Sequence, residues 1–228
     1  MEGVIWMDVI QGFMLIGGGL VCLGILLFTP EGGPVEVLSL AWEQDKIDFG
    51  PYAWDFTQLT FIVMVFNGIF YAIQKYGTDQ TIVQRYLAAK DDKSAKKAAY
   101  MGVLMSVPVW ALFMLIGTAL YIFYQTTGNV LPEGIKADAV FPHFIGMELP
   151  IGITGLVVSA LAAAAISSLD SDMNCLAAIT VEDYYVRFKP NSTDKQRLRV
   201  GRWVVFITGV ASIGIAMLYV VWGGEGVL

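Results

Sequence analysis

The chain has 228 residues, of which 56% are hydrophobic, 13% aromatic and only 15% charged, and its mean hydropathy is +0.63. Soluble domains carry about 25% charged residues and disordered chains are poor in aromatic residues, so both classes are excluded. The net charge of −6 gives no basic surface for nucleic acid, and two distant cysteines in apolar runs exclude a disulfide scaffold. The composition predicts an all-α protein that crosses a lipid bilayer several times.

Five apolar stretches are long enough to cross a bilayer as helices, which takes about 20 residues. They cover residues 3–29, 56–77, 99–125, 150–182 and 199–222, so we expect residues 1–228 to form a single transmembrane domain. Residues 35–48 could form a short interfacial helix. The first stretch begins by Val4 without any leader, so we expect the chain to be a fragment of a longer carrier.

The basic residues predict the orientation of these helices. The loops after the second and fourth stretches, with Arg202 just inside the fifth, hold eleven of the 14 basic residues. The other two loops hold Lys46 and Lys136 among many acidic residues. By the positive-inside rule, we expect the basic loops and the N-terminus on the cytoplasmic side of the cell (inner) membrane and the C-terminus outside.

Polar residues inside the first two stretches are candidates for function, because such residues are costly in a membrane. Asp8 could be a neighbour of a cation site or an interfacial carboxylate. The second stretch carries a polar stripe at helical spacing, formed by Asn67, Tyr71, Gln74 and Thr78, which could line a substrate cavity. Alternatively, Lys75 could simply extend to the inner interface near Arg85. The residues of interest there are Asn67, Tyr71, Gln74, Lys75 and Tyr76.

The fourth stretch is the most informative, because small and polar residues interrupt it. Four of them share one helix face: Ala164, Ser167, Ser168 and Ser171. Hydroxyls, an accessible carbonyl and the carboxylate of Asp170 are the hard oxygen ligands that suit a cation such as Na⁺. Alternatively, the two adjacent serines bond back to carbonyls four residues earlier and the small residues only pack. Asp172 could lie at the cytoplasmic interface.

Catalytic motifs are missing from the sequence. It has no HExxH, GxSxG, phosphate-binding loop or CxxC pattern, so we do not expect an enzyme. Nothing in the pattern requires the continuous pore of a channel.

Three segments together resemble the sodium/solute symporter family. Residues 3–11 (GVIWMDVIQ) are similar to the opening of that family's fifth core helix, with Met7 in place of the usual Thr. Residues 76–90 (YGTDQTIVQRYLAAK) resemble the loop that leaves the sixth helix. Residues 160–185 resemble the eighth helix, with its SSLxSxxN core. The similarity extends over essentially the whole chain and keeps the order of the segments.

The resemblance implies a partial inverted-repeat, LeuT-like transporter fold, in which this chain supplies core helices five to nine as five transmembrane helices. The remaining helices of the full-length carrier would be its partners. It also implies that Ala164, Ser167 and Ser168 belong to the main Na⁺ site. Asp170 and Ser171 match a second Na⁺ site found in some members, with Asp8 close to it.

The resemblance places Gln74, Lys75 and Tyr76 where sugar carriers have gate and substrate contacts. Lys75 departs from the family pattern, and so does Met105, three residues before Pro108, where sugar carriers tend to have a lysine. These departures argue against a plain hexose, and a cationic Lys75 would suit a carboxylate-bearing solute such as a sugar acid.

The leading hypothesis is sodium-coupled symport of a small organic solute, with Na⁺ as the coupling ion. The alternative is a transporter-like sensory module fused to a signalling domain, which a kinase or response domain elsewhere in the protein would reveal.

Overall fold

The computed structural model describes residues 2–48 and 50–223. Within those residues all regular structure is helical, as the sequence predicts. The α-helices are α1 (Glu2–Phe28), α2 (Gly33–Glu43), α3 (Phe61–Gly77), α4 (Gln80–Leu87), α5 (Asp92–Thr126), α6 (Val140–Met147), α7 (Ile151–Ile179), α8 (Val186–Phe188) and α9 (Asp194–Gly223). A 3₁₀ turn, Ala137–Ala139, precedes α6, and a π-helical segment, Thr180–Tyr185, joins α7 to α8.

Four of the described helical stretches are long and apolar enough to cross a membrane. They are Trp6–Phe28, Asp92–Thr126, Ile151–Phe188 and Asp194–Trp222. The helix in the second predicted stretch, α3, has 17 residues and begins at Phe61, five residues later than the predicted start. Its crossing of the membrane stays a prediction.

Hydrogen-bonded caps explain where α3 and α5 begin. Thr60 caps α3, because its hydroxyl accepts a hydrogen bond from Val63 N at 3.4 Å. Asp91 caps α5 by accepting a hydrogen bond from Ser94 N at 2.7 Å. Hydrogen bonds from the backbone and the side chain of Ser94 lower the pKa of the Asp91 carboxyl. The helix therefore begins seven residues before its predicted apolar stretch.

The chain forms two compact units. One contains the residues up to Gln11 together with those from Ala162 on, and the other is Gly12–Leu161. The second unit has an apolar core built from α1, α2, α5, α6 and the first part of α7. Phe123 and Phe144 are fully enclosed there and pack edge to face, with ring centres 5.4 Å apart.

The first unit carries the polar part of α7. α9 packs against the preceding elements at two glycines: a Cβ added at Gly201 would meet Val181 at 3.7 Å, and one at Gly209 would meet Met173 at 3.7 Å, both ordinary van der Waals distances. This packing places α9 beside the π-helical segment and the second half of α7.

Candidate functional site

A polar contact links α1 to α7 within the first unit. The hydroxyl of Ser167 donates a hydrogen bond to Oδ1 of Asp8, and both side chains are half-buried. The residues are 159 positions apart in the chain, so helix packing and not local sequence brings them together. The contact places a carboxylate and a hydroxyl, both hard oxygen donors, at one point between two helices.

The two adjacent serines of α7 have different partners. Ser168 donates back to the carbonyl of Ala164 at 3.3 Å, within its own helix. Such bonding back is the structural alternative that the sequence left open, and the structure shows it for Ser168 but not for Ser167. The same bond places the Ser168 hydroxyl beside the Ala164 carbonyl, two of the three groups that the resemblance implies for the main Na⁺ site.

The remaining predicted ion ligands lie further along α7. Ser171 is half-buried and follows Ser167 by one turn, on the same face of the helix. Asp170 is exposed, and the structure does not bring its carboxylate to the contact between Asp8 and Ser167. The described residues therefore bring Asp8 and Ser167 together, with Ser171 one turn along the same face, and leave Asp170 at the surface of this chain.

The predicted polar stripe of α3 lies on an exposed helix. Asn67, Tyr71 and Gln74 are exposed, and Tyr76 is half-buried. Thr78, at the end of the helix, donates its hydroxyl hydrogen bond to the Gln74 carbonyl at 2.9 Å. The amide and phenol groups of the stripe therefore face outward from this chain, on a helix with no fully buried residue.

Lys75 contacts a carboxylate within the chain. Its Nζ lies 2.7 Å from Oδ2 of Asp79, which also caps α4 by accepting from Thr81 N at 2.9 Å. The hydrogen bonds from Lys75 and then from Thr81 lower the pKa of the Asp79 carboxyl to about 2. Sequence reasoning missed this pairing, for which the available signal was the spacing of four residues between Lys75 and Asp79 across the end of α3.

A cavity of about 570 Å³ is a second feature that the sequence did not indicate. It lies in the first unit, between the end of α7, the π-helical segment and the start of α9. Its polar lining comes from Asn174, Glu182, Asp194, Arg197 and Arg202. Only the packing of α9 creates it, so no linear motif could have predicted it.

Comparisons with known proteins give consistent matches along the chain. The sequence model described as "Sodium:solute symporter family" matches residues 1–223. The chain is 32% identical over 225 residues to the sodium/sialic acid symporter NanT of Aliivibrio fischeri, covering 98% of this chain and 44% of that protein. It is 33% identical over 228 residues to the sodium/sialic acid symporter SiaT of Proteus mirabilis, covering 98% of this chain and 45% of that protein. The chain thus spans less than half the length of these relatives.

A solved structure agrees with these matches. It is the substrate-bound, outward-open state of a Na⁺-coupled sialic acid symporter, described as revealing a novel Na⁺ site. The TM-score is 0.90 at 32% identity, covering 96% of this chain and 46% of that one. Over the matched part, this chain has the same LeuT-like fold, which confirms the predicted fold class.

Proposed function

Because this chain belongs to the sodium:solute symporter family, we propose that the whole protein couples the entry of Na⁺ to the uptake of a small organic solute. The chain contributes the α7 side of the ion site, and α1 contributes the carboxylate of Asp8. The helices that complete the carrier are its partners in the same membrane. The protein works by binding and conformational change, without covalent chemistry.

The observation that carries this proposal is the contact between Asp8 and Ser167. A half-buried carboxylate in a membrane helix needs a partner, and the hydroxyl of Ser167 is one. When Na⁺ arrives, the Ser167 hydroxyl can rotate so that its oxygen, like the carboxylate, faces the cation. The contact therefore supplies two oxygen donors for one cation.

Two ion positions follow on α7. The Ala164 carbonyl with the Ser167 and Ser168 hydroxyls forms part of one, and Asp8 with Ser171 and Ser167 forms part of the other. Asp170 extends the second position if its carboxylate turns inward in the whole carrier. Coupling requires that Na⁺ bind the outward-open, solute-ready state more tightly than the inward-open state.

The polar stripe on α3 is the proposed solute surface. Asn67, Tyr71 and Gln74 are exposed hydrogen-bonding groups of the kind that recognise a sugar or sugar acid. To contact a solute carboxylate, Lys75 would have to release Asp79. An anionic solute would therefore compete with the ion pair between Lys75 and Asp79. Tyr76, next to it, completes the set. We therefore favour a sugar acid or another carboxylate over a neutral hexose.

The orientation belongs to the same proposal. By the positive-inside rule, the basic loops favour a cytoplasmic position for the start of α1 and the end of α7, at the inner membrane. Solute and Na⁺ then enter from the side where the acidic loops lie.

Uptake by the full-length protein in proteoliposomes tests the proposal. A panel of labelled sugars, sugar acids, monocarboxylates and amino acids is compared with and without an inward Na⁺ gradient, for wild type and for Asp170→Ala. Accumulation of one solute only with the gradient is expected, with weaker Na⁺ dependence in the variant. Solute binding without accumulation would reject symport and favour the sensory module.

A further inference from the structure

Charged residues of both signs line the cavity between the end of α7, the π-helical segment and the start of α9. The acidic residues are Glu182 and Asp194, and the basic residues are Arg197 and Arg202. Arg197 donates a hydrogen bond from Nε to the Ser192 hydroxyl at 3.1 Å. Within the described residues, neither arginine makes an ion pair with a carboxylate. The two acidic and two basic groups therefore share one cavity without neutralising each other by direct contact.

The charges follow the same order along both walls of the cavity. On α9, which begins at Asp194, Arg197 and Arg202 come three and eight residues later. At a rise of about 1.5 Å per residue, Arg202 lies about 12 Å further along the membrane helix than Asp194. On the opposite wall, Glu182 is the lining residue nearest to the loop between the two helices. The carboxylates thus lie at the outer end of the cavity, and the guanidinium groups lie deeper.

The rest of the cavity is lined by small and apolar residues. Ala177 and Ala178 belong to α7, and Gly201 and Val205 belong to α9. The cavity has a volume of about 570 Å³, and Leu198 on its wall is 58% exposed. The apolar part of α9 beyond it has no buried residue in this chain. A hydrocarbon chain could therefore continue from the charged end of the cavity along the apolar surface of α9.

We propose that this cavity binds the headgroup of phosphatidylethanolamine, a phospholipid that carries a phosphate and a primary ammonium group. Guanidinium groups bind phosphate oxygens through paired hydrogen bonds, and a primary ammonium donates hydrogen bonds to carboxylates. In a membrane leaflet the ammonium lies towards the water and the phosphate lies next to the acyl chains. This is the order of the carboxylates and guanidinium groups in the cavity.

Other common phospholipids satisfy only part of this lining. The choline ammonium has no N–H to donate to Glu182 or Asp194, and phosphatidylglycerol carries no cation for them. The cytoplasmic leaflet is assigned from the orientation in the proposed function, since basic pockets at this side of a membrane are known lipid sites. The inference does not depend on coupling to Na⁺.

The test uses the full-length protein in nanodiscs with identical acyl chains. The nanodiscs contain phosphatidylcholine alone or mixed with either phosphatidylethanolamine or phosphatidylglycerol. Glu182→Gln removes an acidic group from the cavity, and Arg197→Gln removes a basic one. Asp183→Asn and Lys195→Gln are the matched controls, because both residues are exposed neighbours that do not line the cavity. The readouts are the melting temperature and the lipid that remains bound in native mass spectrometry.

Wild type should retain phosphatidylethanolamine in preference to the other two lipids and melt at a higher temperature when it is present. Glu182→Gln should weaken the binding of phosphatidylethanolamine about tenfold, the size of one lost bond between charged groups, and leave phosphatidylglycerol binding intact. Arg197→Gln should weaken the binding of all three lipids, because each carries a phosphate. The two controls should behave as wild type.

Every other outcome overturns the inference. A wild type without lipid preference would show that other helices of the carrier cover the cavity, and a preference for phosphatidylglycerol would show that the cavity binds phosphate alone. An unchanged preference in Glu182→Gln, or an equal loss in Asp183→Asn, would reject the assigned ammonium contact. Equal stabilisation by soluble phosphoethanolamine in phosphatidylcholine nanodiscs would reject a lipid as the ligand.

The variants and the readouts keep the outcome clear. If Arg197→Gln does not fold, Glu182→Gln decides, because its exposed side chain can be replaced without opening a core. None of the readouts requires transport. Lipid selectivity without Na⁺-driven uptake would therefore reject the proposed function alone, and Na⁺-driven uptake without lipid selectivity would reject this inference alone.

Discussion

Removing the ion pair between Lys75 and Asp79 is expected to cost about 1 kcal/mol of stability. The pKa of the Asp79 carboxyl falls from 3.8 to about 2, and each pKa unit corresponds to about 1.4 kcal/mol. The resulting ~2.5 kcal/mol is an upper limit on the stabilisation that all partners of the Asp79 carboxylate provide together, and Thr81 is one of these partners. The Lys75 side chain is 36% exposed, so solvent screening reduces its share to about 1 kcal/mol.

A double-mutant cycle measures this share directly. Lys75→Met, Asp79→Asn and the double variant of the full-length protein are unfolded in detergent micelles at neutral pH. The coupling energy should be about 1 kcal/mol, and Asp79→Asn removes the charge while it keeps the cap of α4, because an Asn side chain can accept the same hydrogen bond from Thr81 N. Asp91, which caps α5, serves as the control carboxylate, and its cycle with Lys75 should be additive. If the effects of Lys75→Met and Asp79→Asn simply add, the ion pair between Lys75 and Asp79 is refuted.

The same pair predicts a pH dependence. Because folding lowers the pKa of Asp79, its contribution is fully present above the unfolded value of 3.8 and is lost as the pH falls towards about 2. Wild type should therefore lose more stability than Asp79→Asn between about pH 4 and pH 2. Parallel losses in the two proteins would show that the carboxylate has no such stabilising partner.

Three further predictions concern the transport site. Ser168→Ala in the full-length protein should abolish Na⁺-driven uptake, and unchanged Na⁺ dependence would reject its assignment as an ion ligand. Asp8→Asn should raise the half-saturating Na⁺ concentration by about tenfold or more, because a neutral amide replaces a charged ligand; an equal Na⁺ affinity, measured by uptake, would contradict this. Lys75→Gln should weaken uptake of anionic solutes more than of neutral ones, whereas equal losses would limit Lys75 to its structural pairing with Asp79.

Apolar runs made the helices predictable, but local hydrogen bonds set where they begin. Mean hydropathy locates a membrane segment and contains no information on capping. The cap at Thr60 starts α3 late, and the cap at Asp91 starts α5 early, in a charged segment that no apolar run could include. These differences follow from the side chains at the helix ends.

The sequence predicted which residues belong to the candidate site better than it predicted the hydrogen bonds between them. Helical spacing placed Ser167 and Ser168 close together on α7, yet one bonds to α1 and the other to its own helix. That choice depends on which helix packs against which face, and a single sequence does not contain this information. The pairing of Lys75 with Asp79, in contrast, was available from their spacing of four residues.

Reverse coupling is the most direct test of sodium symport. Proteoliposomes containing the full-length protein are loaded with labelled Na⁺ at equal concentration on both sides, with the membrane potential clamped, and an inward gradient of the transported solute is imposed. Because coupling is reciprocal, the solute gradient should drive net Na⁺ entry against the gradient that this entry creates. Solute entry without net Na⁺ movement would contradict the proposed symport.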